Sequence, residues 1–309
     1  MSQHTSELCL PDKLPKKMNG ADITCLHRIS ATPIDSSDAI FGEYAAFKLG
    51  VTESVRHFAE LLFPHLKRLV ASDSAHTGWI LTAPPIANRT PAAANLLCWE
   101  LFKLCERERD LSVGKFTLID IQHDSESATS IEWKDPTKSQ DYAKLDFADR
   151  MRERKRSSQR LVHNAEFHGR PVLFVNDICV TGAQQHTMEK YFERAEVACV
   201  RWLYVIGVDQ EIGRSNPEIE WQINFVTFDD LLRIVSCEQI QFTSKCVQRL
   251  MHLSTAELDQ VLRALNRERR SRLLELAIRN GFLHLDGFQE QMHLLNSYGE
   301  EGTHAGDDE

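Results

Sequence analysis

A chain of 309 residues with 42% hydrophobic content can bury one large core plus a small appendage, and its lack of an apolar run near roughly 18 residues excludes a membrane-spanning helix. The formal net charge of −9 speaks against broad electrostatic binding to nucleic acid, while leaving room for a local cradle around a polyphosphate. Eight scattered cysteines without a C-x-x-C pair indicate neither zinc nor a disulfide framework, and the absence of an apolar leader makes a cytoplasmic location, with no membrane partner, the expectation.

Residues 1–38 mix Pro, Ser and Lys with two short apolar runs, as an arm or a hood over a site would. Over 52–70, Val55, Phe58, Ala59, Leu62, Leu66 and Leu69 recur at helical spacing, with Thr52 as the expected cap. A strand is predicted at 78–83, a Pro-rich loop at 84–90 and a helix at 91–105 with Pro91 in its first turn. Another strand is expected at 116–122, then a polar stretch, then a charged helix over 147–161.

The run Val172-Leu173-Phe174-Val175 reads as a strand covered on both faces, and Thr181-Gly182-Ala183 breaks it just before a helix predicted at 184–195. Further strands are predicted at 198–208 and 219–226. Strands alternating with helices imply an α/β fold with a mainly parallel sheet. Beyond Phe228 the pattern turns helical, with Ser254-Thr255-Ala256-Glu257 as a capping box, and the Gly-rich acidic residues 299–309 read as a disordered tail.

The turn after the third of these strands carries the chemistry. Backbone N–H groups at a helix N-terminus have no intrahelical partners, and the helix dipole favours negative charge there. Gly182 lets the backbone approach a ligand, Thr181 adds a hydroxyl donor, Val180, Ala183 and Gln184 complete the turn, and the Asp177 carboxylate can accept hydrogen bonds from sugar hydroxyls. A phosphorylated sugar is the ligand these atoms suggest.

The segment Val172-Leu173-Phe174-Val175-Asn176-Asp177-Ile178-Cys179-Val180-Thr181-Gly182-Ala183-Gln184 resembles the phosphoribosyl pyrophosphate (PRPP) motif of type I phosphoribosyltransferases, with one departure: Asn176 stands where that motif has its first acidic residue. The resemblance implies that Asn176 and Asp177 grip the ribose, and that Pro85, Asn88 and Arg89 in the earlier loop receive pyrophosphate, with Asn176, Asp177 and Arg89 as the catalytic set. It implies Mg2+, reached by Asp177 only through ligand or water, and a flexible loop that includes Asp141, Tyr142 and Arg150. On the same basis 39–228 is the phosphoribosyltransferase-like domain, preceded by the hood segment 1–38 and followed by a helical region at 229–298.

Glu43-Tyr44-Ala45-Ala46-Phe47-Lys48-Leu49-Gly50, Gln140-Asp141-Tyr142 with Asp149-Arg150, and Val180 to His186 together are similar to a bacterial branch of such proteins found in stress and defence operons, including tellurite-resistance clusters and retron-type antiphage systems. Three readings follow from the resemblance: a ribosyl transferase of unidentified acceptor, an effector controlled by a protein or nucleoprotein partner, and a PRPP sensor without turnover. A homo-oligomer is compatible with each. Lys48 reads as a contact for ligand or partner or, in the favoured reading, as a surface cation with a buried stem; Arg267, Arg269, Arg270 and Arg272 read as a face for a partner protein or nucleic acid or, in the favoured reading, as a solvated face paired with Glu268 and Glu275.

Overall fold

The computed structural model describes residues 23–31, 39–73, 75–86, 90–108, 115–122, 149–152, 161–162, 164–216 and 218–300, without the side chains of 299 and 300. Five strands form one sheet: β1 (Ile23–Ile29), β2 (Trp79–Thr82), β3 (Phe116–Leu118), β4 (Pro171–Cys179) and β5 (Cys199–Val208). Their order is β1-β5-β4-β2-β3, and every pairing is parallel. All nine residues of β4 are buried, which is why its sequence is an apolar run rather than an alternation.

Helices cover both faces. On one lie α1 (Ala39–Leu49), α2 (Thr52–Ala71) and α3 (Ala93–Arg107), whose Phe47, Phe58, Leu62 and Leu97 pack with Leu81, Leu173 and Leu203. On the other lies α4 (Ala183–Arg194), where Tyr191 and Phe192 join Phe174, Trp202 and Tyr204. The chain leaves β2 through α3 on the first face and leaves β4 through α4 on the second. The carboxyl ends of these two neighbouring strands therefore open into a crevice, the place where ligands bind in open α/β sheets.

After β5 the chain is helical: α5 (Gln210–Ser215), α6 (Ile219–Ile223), α7 (Phe228–Val235), α8 (Ser244–Met251), α9 (Thr255–Ala264), α10 (Arg267–Arg279) and α11 (Gln289–Glu300). A separate apolar cluster gathers Leu231, Val247, Leu258, Leu262, Leu273 and Phe282, and it takes Ala45, Leu49 and Val51 from the end of α1. Backbone bonds reinforce this junction: Thr52 N donates to Gln239 O at 2.8 Å and Gln241 N to Gly50 O at 2.8 Å. The carboxyl end of α1 is thus clamped between the sheet layer and the helical layer.

Several expectations are corrected. The 219–226 stretch is not a strand: 219–223 is helical, with Ile219 and Ile223 buried one turn apart while Trp221 faces out, and 224–226 is irregular. The residues before α1 supply a strand that the sequence reading did not assign, β1, which pairs with β5 through Ile23–Trp202 to Ile29–Val208. Thr52 is the first residue of α2 rather than its cap; Val51 takes the cap position in extended conformation, with no side-chain bond. Of the helix expected at 147–161, residues 149–152 are helical, 161–162 are not, and 153–160 lie outside the described residues. The Ser254–Glu257 capping box is present, with Glu257 N donating to Ser254 Oγ at 3.3 Å and Ser254 N to Glu257 Oε2 at 3.0 Å.

Candidate functional site

At the end of β4 the backbone turns through Val180, Thr181 and Gly182 into α4. Gly182 is the N-cap residue at φ 77°, in the left-handed region, and a Cβ built on it would meet nothing within 4 Å. The need for glycine is therefore conformational, and the space above the turn is open. Thr181 is buried, and its hydroxyl accepts weakly from Ala183 N at 3.4 Å. Behind the turn, Gly213 of α5 packs so closely on the Val180 carbonyl that any side chain there would overlap it. Val180 to Gln184 thus form a supported turn with the first N–H groups of α4 at its rim.

The two polar residues that close β4 have different fates. Asn176 is buried, and its amide donates to Ile178 O at 3.3 Å and to Gln184 Oε1 at 3.2 Å, so it braces the turn from inside. Asp177 accepts from the Ile178 N–H through Oδ1 at 2.8 Å, and its Oδ2 is paired with Lys48 from α1. Only about a tenth of the Asp177 side chain is exposed (10%). Tyr44, one turn before Lys48, is fully buried, and no hydrogen bond of standard geometry reaches its hydroxyl. Burial first, then the charges of Asp177 and Glu220, hold the Tyr44 phenol well above its usual pKa, so it stays neutral.

Pro85 lies in the loop after β2, the strand that pairs with β4. The loop is anchored by Asn95, whose amide donates to Pro84 O at 2.8 Å and accepts from Ala92 N at 2.8 Å. Asn88 and Arg89 lie outside the described residues, as do Asp141 and Tyr142. Arg150 is placed: it is buried and bonds Glu220 of α6 at 2.6 Å, which ties the middle of the chain to the helical layer. His186 reaches Glu189 at 3.5 Å rather than the turn.

For a divalent cation, the single carboxylate at the end of β4 suits Mg2+ held chiefly by oxygens of a bound ligand, since Mg2+ takes one or two carboxylates and keeps its other positions for phosphates and water. The group of Asp73, His76 and Cys199, which could also ligate a metal among the described residues, lies elsewhere. Cys199 pairs with Pro171, six residues before Asp177, hence about 20 Å from Asp177. Asp73 there bonds Arg201 at 3.0 Å and His76 at 2.7 Å.

The comparison with known families decides what this crevice belongs to. A family model described as "PRTase ComF-like" matches residues 109–295, more than half of the chain. The chain belongs to the ComF-like phosphoribosyltransferase family. No curated protein matches it as a relative. The family match runs from before β3 through the turn and on into α11, so it spans most of the helical layer. In this phosphoribosyltransferase-like chain no helix among the described residues is long and apolar enough to cross a membrane.

The sequence favoured the surface reading of Lys48, yet it is the cation on Asp177, 129 residues away along the chain. The signal for the other reading was its place one turn after Tyr44, whose full burial puts Lys48 on an inward face of α1.

Proposed function

We propose that this chain binds PRPP or a related ribose 5-phosphate compound together with Mg2+, and transfers the ribosyl group to an acceptor. The observation that carries the reading is the open glycine turn at the head of α4 with Asp177 directly behind it. The terminal phosphate would sit on the N–H groups of Val180 to Gln184, where the helix dipole and the Thr181 hydroxyl favour it. Asp177 would take a pentose hydroxyl once Lys48 yields it, and Pro85, Asn88 and Arg89 would receive the pyrophosphate. During transfer the C1–O bond breaks and the pyrophosphate leaves with the electron pair, while the acceptor's lone pair bonds C1 and its proton departs. Mg2+ would lower the cost of charge on the leaving group.

Asn176 favours a second reading, a sensor that binds PRPP without turnover. Its amide is spent on Ile178 and Gln184, which leaves one carboxylate where two acids grip the ribose in the motif it resembles. A role in a stress or defence operon, with a protein or nucleoprotein partner and a cytoplasmic location, rests on the resemblance of short patches. Co-purification of the native complex tests it.

The main reading is tested by calorimetric titration with PRPP and Mg2+, comparing the parent with Asp177→Ala and Thr181→Ala. Both variants should lose affinity, and equal affinity in all three overturns the assignment. Released pyrophosphate in the presence of a panel of nucleobases separates the transferase from the sensor.

A further inference from the structure

On the far side of Lys48 from Asp177, between α1, α6 and α8, lies a cleft whose lining is unlike the rest of this acidic chain. Three cations reach it: Lys48, Lys245 and Arg249. Arg249 donates to Val226 O at 2.8 Å, and neither Arg249 nor Lys245 has an ion-pair partner among the described residues. Burial, followed by the neighbouring charge of Lys48, lowers the Lys245 ammonium below its usual pKa, against the pull of Glu220 and Asp177. An incoming anion would relieve that crowding of positive charge.

Trp221 and Phe225 stand at the same cleft, 41% and 53% exposed, with ring centroids 5.5 Å apart. Leaving two adjacent large rings in water is unfavourable unless something flat covers them. The lining also includes Asn224 and His252, whose Oδ1 and Nε2 are buried and make no hydrogen bond among the described residues.

Clustered cations beside two exposed rings describe a ligand with a phosphate and a flat face. We propose that this cleft binds a nucleoside monophosphate, with its base against Trp221 and Phe225 and its phosphate on Lys245 and Arg249. The site is separate from the phosphate turn and does not depend on the ribosyl reading, although Lys48 borders both. A phosphate in the cleft competes with Asp177 for Lys48, so occupancy here would free the Asp177 carboxylate.

The full chain is titrated calorimetrically with AMP, GMP, CMP and UMP, alongside ribose 5-phosphate and inorganic phosphate. At least one nucleotide should bind more tightly than inorganic phosphate, because stacking on an exposed ring adds to the phosphate contact, and Trp221→Ala should leave ribose 5-phosphate affinity unchanged. Trp221→Ala and Lys245→Met should each weaken nucleotide binding by about tenfold or more, with circular dichroism unchanged. Asp177→Asn should leave nucleotide affinity equal or higher, since Lys48 is then free for the ligand; that variant still loses PRPP if the phosphoribosyl site is real. The proposal is overturned if no nucleotide binds below about 1 mM, or if affinity ignores Trp221 and Lys245. It is equally overturned if Asp177→Asn abolishes nucleotide binding, which would place the nucleotide at the turn.

Discussion

Lys48 of α1 forms an ion pair with Asp177 of β4 at the entrance to the crevice, and both side chains are largely out of water. The carboxylate that closes β4 is thereby neutralised by a cation from the helix that also anchors the helical layer. On the proposed function, a phosphate or pyrophosphate at the turn would offer Lys48 a replacement for it.

Replacing Lys48 by Met should lower stability, because it leaves Asp177 partly buried with only the Ile178 N–H for compensation. A double-mutant cycle of Lys48→Met and Asp177→Asn, followed by urea denaturation, should give a coupling of about 1–3 kcal/mol. A coupling near zero would mean that the pair is not formed in solution.

The turn offers two glycine tests with different signatures. Gly182→Ala meets no steric obstacle, so it should cost about 1–2 kcal/mol from the left-handed backbone alone, with a larger loss of ribose phosphate binding because the new methyl projects into the open space above the turn. Gly213→Ala instead drives a methyl into the Val180 carbonyl and should move the turn itself. Thermal midpoints and phosphate titrations of both variants separate backbone cost from displacement.

Arg150→Met should strand the Glu220 carboxylate between α6 and Tyr44. Breaking a buried pair costs about 3–5 kcal/mol as an upper bound, and adding Glu220→Gln should recover most of it. The urea midpoint should fall and then rise again, with an unchanged slope. Failure of the second change to recover stability would show that Arg150 acts through other contacts.

Acid sensitivity should arise at the opposite end of the sheet. The hydrogen bond from His76 first, then the His76 and Arg201 charges, hold Asp73 below its usual value of 3.8, against the effect of burial. A depressed carboxylate stabilises the fold above its unfolded pKa, and that contribution is lost as pH falls from about 4 through the folded value. Asp73→Asn should be less stable than the parent at about pH 6, and the gap should close near about pH 3, as read by urea unfolding at both.

Local patterns in the chain carried a good deal. The apolar run of β4, the glycine turn, the helical spacing of α2 and the capping box of α9 each follow from near neighbours, and those are interactions a sequence displays directly. The parallel α/β layering followed from the alternation of such units. What neighbours could not display was decided by folding: that Ile23–Ile29 completes the sheet edge beside β5, that the short 219–223 segment coils so as to bury two isoleucines, and that Lys48 lands on Asp177. A short segment has too few residues to express a period, and the charge that will meet a carboxylate is set by how two helical layers close on a sheet. The cleft of Lys245, Arg249 and Trp221 exists only because α6 and α8 pack beside α1, a contact between segments some 170 to 200 residues apart in the chain.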